Sequence, residues 1–323
     1  MIGSEHNMKI TVLDAATLGD DISLERFNEL GDTIIYQTTP EELIVERIAD
    51  CDVIVANKVK LNATNLAFAK NLKLICITAT GYDNVDTSYC KSKNIAVCNV
   101  KGYSTDSVSQ VTVATVLSLY NHIAEYDRYV KDGSYTSSGV QNCLTPVYRE
   151  LSGKTWGIIG LGNIGKQVAK VATALGCNVI AYKRKKTDEY RCVTLSELMW
   201  TSDIITIHLP LSDETKNIVN KSMISLMKPS AVIVNAARGA VWDEESIAQA
   251  IIDGKIGAMG CDVYSVEPMK DDHPFSKLVA FDNVCLLPHM SWGAYEARNR
   301  CLDEVALNIK SFFNNEIRNR VDI

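Results

Sequence analysis

The sequence predicts an α/β protein made of two doubly wound parallel sheets. Three observations carry that reading. Short, unbroken Val/Ile-rich runs recur along the chain, and runs of that kind suit parallel strands buried on both faces. They alternate with segments of helical period, the order that builds βαβ units. One long helical stretch then separates five such runs from six more, and a chain of 323 residues fits two domains.

The first five runs are MKITVLD (8–14), DTIIYQ (32–37), CDVIVAN (51–57), LKLICIT (72–78) and NIAVCNV (94–100). The long helical stretch follows, residues 104–130, with apolar positions at 108, 111, 113, 116, 117, 119, 120, 123 and 126. Residues 134–154 are polar and turn-rich and read as a loop or arm. The later runs are TWGIIG (155–160), NVIAY (178–182), DIITIHL (203–209), AVIVNA (231–236), IGAMGCDV (256–263) and NVCLLP (283–288). Helix punctuation agrees with this order. TLSEL (194–198) has the Thr-x-x-Glu form of a capping box, and DEESIAQAIIDGKIG (243–257) opens on an acidic turn and stops at Gly254. The C-terminal helix (293–313) has no strand after it and can return to the first lobe. The expected division is therefore 1–101 plus 294–323 as one domain and 102–293 as the other.

Composition narrows the function. Hydrophobic residues make up 46% and charged residues 22%, a balance that supports a sizeable core. The net charge of −6 argues against a general attraction to nucleic acid. None of the ten cysteines falls in a spacing that would hold zinc, so no metal is expected, and several sit inside apolar runs as small buried hydrophobes of a reducing compartment. No run of about 18 apolar residues predicts a membrane span. Residues 1–7 read as a polar extension without a signal-peptide core, and the expected location is the cytoplasm.

Chemistry is concentrated where runs end. Gly160, Gly162 and Gly165 form G-x-G-x-x-G between a strand and the helix NIGKQVAKVATALG, the context a dinucleotide-binding turn requires. The helix N-terminus there offers unpaired N–H groups to a pyrophosphate. Of five histidines, His6, His122, His208 and His273 read as structural or solvated. His289 differs, because it follows Pro288 at the end of a strand, where open α/β sheets bind their ligands and where an imidazole can pass a proton. Arg238, at the end of AVIVNA, can fork two bonds to a carboxylate and a carbonyl. Glu267, in VYSVEP, would orient the imidazole and favour its charged form.

Six stretches together resemble the D-isomer-specific 2-hydroxyacid dehydrogenase family: TATGYDNVD (78–86), GIIGLGNIG (157–165), HLPLSDETKNIVN (208–220), MKPSAVIVNAARG (227–239), GAMGCDVYSVEP (257–268) and LLPHMSWG (286–293). GYSTDSVSQ (102–110) and the segment after HMSW look like the glycerate dehydrogenase, or hydroxypyruvate reductase, branch. The resemblance implies a flavodoxin-like substrate-binding domain and a Rossmann nucleotide domain. It implies a catalytic set of Arg238, Glu267 and His289. Substrate carboxylate would be held by Arg238 and by backbone groups at Thr80 and Gly81. Cofactor contacts would come from Gly160, Gly162, Asn163, Ile164, Gly165, Pro210, Ala236, Ala237, Arg238 and Asp262, with Asp262 near the nicotinamide carboxamide. It also implies a homodimer acting on a small 2-oxo acid, hydroxypyruvate first and glyoxylate second, with neither nucleic acid nor membrane as partner. Two other activities are consistent with the same residues: a dehydrogenase for a bulkier 2-oxo acid of the D-lactate type, and a dinucleotide-sensing, co-repressor-like scaffold.

One stretch departs from the family pattern. VIAYKRKKT (179–187) ends its strand in Lys183, Arg184, Lys185 and Lys186, and Lys183 falls where the family usually carries an acidic residue. A carboxylate there accepts bonds from the ribose hydroxyls of NAD and repels a 2′-phosphate, whereas Lys183 and Arg184 would attract one. The expected cofactor is NADP(H) in preference to NAD(H).

Overall fold

The computed structural model describes residues 7–184 and 188–323. The polar N-terminal residues 1–6, with His6, and the basic residues Lys185 and Lys186 lie outside the described residues. The chain forms two compact units, Met1–Ser104 with Gly293–Ile323, and Thr105–Trp292.

The first unit contains five strands: β1 (Lys9–Val12), β2 (Asp32–Ile35), β3 (Val53–Ala56), β4 (Leu74–Ile77) and β5 (Ala96–Cys98). They pair in the order β2-β1-β3-β4-β5, all parallel. Every residue of β3, β4 and β5 is buried, as β-branched runs in a sheet covered on both faces should be. At the edge, β2 departs from that pattern, and Ile34 is more than half exposed. The C-terminal helix Tyr295–Phe313 packs against β4. Its buried Asn308 donates to the carbonyl of Asn99 at 3.0 Å. The last residues return to β5, where Val321 donates to the carbonyl of Val97 and the Val97 N–H donates to Asp322.

The second unit contains β6 (Thr155–Ile159), β7 (Asn178–Tyr182), β8 (Arg191–Cys192), β9 (Ile204–Ile207), β10 (Val232–Asn235), β11 (Ala258–Cys261) and β12 (Val284–Leu286). Their order is β12-β11-β10-β9-β6-β7-β8, again all parallel. The chain runs outward from β6 in one direction through β7 and β8, then returns beside β6 as β9 and runs the other way. That reversal makes the carboxyl ends of β6 and β9 the topological switch point, where open α/β sheets bind ligands.

The helical stretch read as one unit is two. Helix Thr105–Tyr120 buries Val108, Thr112, Val113, Val116 and Leu119, while helix Ile123–Lys131 buries nothing. Between them His122 is left-handed, φ 54°, a conformation that histidine adopts more readily than most residues and that turns the chain out of the helix. The arm after it holds a short helix, Ser134–Ser138, flanked by left-handed Gly133 and Gly139, and is otherwise irregular. Strand β8, two residues long, carries no periodicity from which it could be foreseen. The second unit begins at the first residue of helix Thr105–Tyr120, three residues beyond the expected boundary.

Candidate functional site

The glycine turn joins β6 to helix Asn163–Ala174. Gly160 is left-handed, φ 97°, and its N–H donates to the carbonyl of Tyr182 at the end of β7. A side chain on Gly165 would strike the carbonyl oxygen of Gly160 at 2.2 Å, so only glycine lets helix and turn approach this closely. Gly162 is the opposite case: a Cβ there would meet nothing within 4 Å. The helix starts at Gly162 with no side-chain cap and no acidic residue in its first turn. There is thus room beside Gly162, and neither a side-chain cap from Gly162 nor an acidic residue competes at the positive end of the helix, an arrangement that fits a pyrophosphate. The residues present therefore suit a dinucleotide. Asn163 and Ile164 form the first turn, and Pro210 follows β9 at the same edge.

His208 lies beside this turn. Its N–H donates to the carbonyl of Ile159 at 2.7 Å, and its carbonyl lies against Gly160. Neither ring nitrogen has a partner, and burial holds the imidazole down to about 3 from an ordinary 6.5. The sequence left this histidine as structural or solvated; its ring nitrogens are not solvated.

Three further strand ends carry the remaining groups. The register pairs Asn235 of β10 with Cys261 of β11, and Cys261 with Leu286 of β12, so the three strands stop level with one another. Beyond β10 the buried Asn235 ties a tight turn. Its side chain accepts from the N–H of Ala237 and donates to the carbonyl of Arg238, both at 3.0 Å, which fixes the path through Ala236 and Ala237. Arg238 is half-buried, and its Nη1 donates to the Ala237 carbonyl at 2.7 Å. Beyond β11, buried Asp262 accepts from the N–H groups of Met290 and Ser291 at 2.8 and 3.0 Å. That carboxylate holds the loop immediately after His289, a role distinct from the cofactor contact expected of it.

Glu267 and His289 meet. His289 Nδ1 lies 2.7 Å from Glu267 Oε2, and both side chains are partly exposed. The other oxygen of Glu267 accepts from the N–H of Tyr264 at 3.0 Å. His289 itself is left-handed, φ 53°, a sparsely populated conformation that is held here by the bonds of Asp262 to the two following residues. With Nδ1 turned to the carboxylate, Nε2 is the ring nitrogen left to act on a ligand.

Thr80 and Gly81 belong to the first unit, in the loop after β4. Thr80 donates through its hydroxyl to the carbonyl of Val100 at 2.8 Å, and its own carbonyl accepts from Asn99 at 2.7 Å. Asn84 ties the same loop to the carbonyls of Asn57 and Val59 after β3. Lys183 and Arg184 follow β7. Arg184 Nη1 lies 2.6 Å from Glu214, and both side chains are largely exposed. Among the described residues no group of histidines, cysteines and carboxylates could hold a metal ion. Glu244, Tyr264 and Ser265, for which the sequence predicts no role in the site, and His273, expected to be structural or solvated, all support the Glu267 loop. The charged neighbours of His273, in KDDHP, hide the fact that it is buried.

Residues 113–291 match the family described as D-isomer specific 2-hydroxyacid dehydrogenase, NAD binding domain. A hydroxypyruvate reductase of Blautia hydrogenotrophica is 36% identical over 94% of this chain and 97% of its own. A glycerate dehydrogenase of Methylorubrum extorquens is 35% identical over 97% and 99%. Among solved structures, an NADPH-dependent glyoxylate/hydroxypyruvate reductase of Sinorhizobium meliloti, in complex with NADP and malonate, is 26% identical and covers 98% of this chain and 97% of that one, with a TM-score of 0.85.

The buried imidazole of His208 has a consequence for stability. The unfolded chain binds a proton there below pH 6.5, and the folded chain does not until about pH 3. Stability should therefore fall as pH drops through that window. His208→Gln, which cannot titrate, should show a shallower decline in melting temperature between pH 6.5 and 4 than the unmodified chain. Parallel curves would rule out His208 as the source.

Proposed function

The chain belongs to the D-isomer-specific 2-hydroxyacid dehydrogenase family, and from that premise we propose that it reduces hydroxypyruvate to D-glycerate, with glyoxylate as a second substrate. It is an oxidoreductase that converts a small 2-oxo acid to the D-2-hydroxy acid with a nicotinamide dinucleotide. The observation that carries the assignment of roles is the 2.7 Å contact between Glu267 and His289, formed at strand ends adjacent to that of Arg238.

Bound nicotinamide supplies a hydride for the carbonyl carbon. Arg238 holds the acid, its planar fork matching carboxylate and carbonyl oxygens together and drawing charge onto the carbonyl oxygen. His289 delivers the proton to that oxygen from Nε2, while Glu267 fixes the ring through Nδ1 and stabilises its charged form in the ground state of reduction. Gly160, Gly162, Asn163, Ile164 and Gly165 would hold the pyrophosphate, Pro210, Ala236 and Ala237 would line the nucleotide, and Asp262 would lie near the nicotinamide carboxamide.

The cofactor is NADP(H) in preference to NAD(H). In support, β7 is followed directly by Lys183 and Arg184, with no carboxylate at the position of Lys183. The Arg184–Glu214 pair is exposed, and an exposed pair contributes at most about 1 kcal/mol, so Arg184 can exchange it for a 2′-phosphate at small cost. A cytoplasmic location agrees with Cys76, Cys90, Cys98 and Cys261 serving as small buried hydrophobes of the core; recovery of the protein in a membrane or exported fraction would contradict that location. The partner is a second copy of this chain. Helix Ile123–Lys131 buries nothing, and Val130, Val140, Leu144, Val147 and Tyr148 near it are all more than half exposed. Sedimentation should give a dimer, and a monomer at micromolar concentration would contradict it.

His289→Ala should lower kcat for hydroxypyruvate by about 10²-fold or more, with cofactor affinity little changed. Near-normal turnover would remove His289 from the reaction, and absence of turnover on any 2-oxo acid in the unmodified protein would favour a sensing role. The unmodified enzyme should show a higher kcat/KM with NADPH than with NADH. Lys183→Asp with Arg184→Ala should reverse that preference, by about tenfold or more for each charge-assisted bond lost. Equal or better activity with NADH in the unmodified protein would contradict the NADP assignment.

A further inference from the structure

Around the Glu267–His289 pair lies a second layer of bonds that converge on one peptide unit, Tyr264–Ser265. Glu244, the first residue of helix Glu244–Ile252, has a side chain only 10% exposed. Its Oε1 accepts the N–H of Ser265 at 2.9 Å, and its Oε2 accepts the Ser265 hydroxyl. The same Oε2 lies 3.1 Å from Nε2 of the buried His273. Nδ1 of His273 accepts the N–H of Phe275 at 3.1 Å, so the ring is neutral with its proton on Nε2, aimed at Glu244. Glu244 is thereby saturated by three donors, which is what makes a nearly buried carboxylate tolerable.

The two residues that Glu244 holds, Tyr264 and Ser265, bond to Glu267 and touch the loops that carry His289 and Arg238. The Tyr264 N–H donates to Glu267 Oε1 at 3.0 Å. The Tyr264 hydroxyl donates to the carbonyl of Leu287 at 2.9 Å, two residues before His289. Burial pushes the Tyr264 phenol well up, so it stays protonated and remains a donor. Its ring also packs edge-on to His273 and Phe275, with centroids 5.6 and 6.3 Å away. On the third side stands Gly239, next to Arg238. A Cβ on Gly239 would lie 2.1 Å from the carbonyl carbon of Tyr264 and 2.2 Å from the nitrogen of Ser265, so the Arg238 turn rests directly on this peptide.

We infer that Glu244, His273 and Tyr264 are positioning residues, which clamp the Tyr264–Ser265 peptide and through it set the distance between Glu267 and His289. The inference rests on the reading of Glu267 and His289 as the acid–base pair. Freeing one bond of the clamp lets the Glu267 loop move relative to the His289 loop, and errors of the order of 1 Å in such a site cost up to about 10²-fold in rate. None of the three touches the substrate in this scheme, so the loss falls on kcat.

The test uses the full-length enzyme carrying 15N-labelled histidine, with Tyr264→Phe, Ser265→Ala and Glu244→Ala compared with the unmodified chain. His289→Asn assigns the His289 ring signals, and Glu267→Gln shows where they move when the contact is lost. In Tyr264→Phe and Glu244→Ala the Nδ1 signal of His289 should move toward its position in Glu267→Gln. At the same time kcat should fall about tenfold, with KM for hydroxypyruvate within about twofold. His289 ring signals that superimpose on those of the unmodified protein would overturn the inference, whatever the activity. Tyr264→Phe and Ser265→Ala each remove only a hydroxyl, so the comparison stands if Glu244→Ala fails to fold. The ring signals report the contact without turnover. If His289→Asn proved fully active, the acid–base reading would fail, while the clamp would still be judged by the spectra.

Discussion

Parallel pairing of β10, β11 and β12 is the constraint on which the candidate site depends. In a parallel sheet every carboxyl end lies along the same edge, and here Asn235, Cys261 and Leu286 are aligned by register. Arg238 then follows β10 by three residues, and His289 follows β12 by three. Glu267 is six residues beyond β11, far enough for its loop to bend toward β12 and bring its carboxylate to the imidazole. No long-range fold of loops is needed to bring the Glu267 carboxylate to the His289 imidazole. The sheet brings the loops together, and short, well-bonded turns do the aiming.

Close approach is the second requirement, and it explains where glycine is used. Gly239 lets the Arg238 turn sit on the Tyr264–Ser265 backbone, and Gly165 lets helix Asn163–Ala174 pack against the Gly160 carbonyl. Gly260 does the same in the sheet, where a Cβ would strike Thr115 of helix Thr105–Tyr120 at 2.4 Å. Each contact sets a distance that a methyl group would enlarge. Glu244 and Asp262 do the complementary work with charge, each using its carboxylate to tether backbone N–H groups of a loop. The geometry thus comes from backbone contacts, and Arg238, Glu267 and His289 project from turns that such contacts fix.

The two parallel sheets were legible because β3, β4, β9, β10 and β11 are wholly buried and so read as continuous apolar runs. What escaped had no such signal. β8 has two residues, and His122 interrupts a pattern whose periodicity continues on both sides of the break. Glu267 and His289 could be paired on paper because each follows an apolar run by a few residues. Glu244, Tyr264 and His273 could not, because their partners are backbone groups or residues up to 29 positions away, and a bond to a backbone N–H leaves no mark on the partner's identity. Arg184 shows the converse: the sequence displays its charge and conceals Glu214, 30 residues on, with which it pairs.

The central claim is that Glu267 and His289 act as one unit in proton delivery. A double-mutant cycle on kcat for hydroxypyruvate reduction tests it most directly, with Glu267→Gln, His289→Asn and the two combined. Residues that act through a single step are strongly non-additive. The double variant should therefore be no slower than His289→Asn alone, within about twofold, although Glu267→Gln by itself is markedly impaired. Losses that multiply in the double variant would mean that the two side chains contribute independently, and the 2.7 Å contact would then be a neighbourly salt bridge rather than the core of the mechanism.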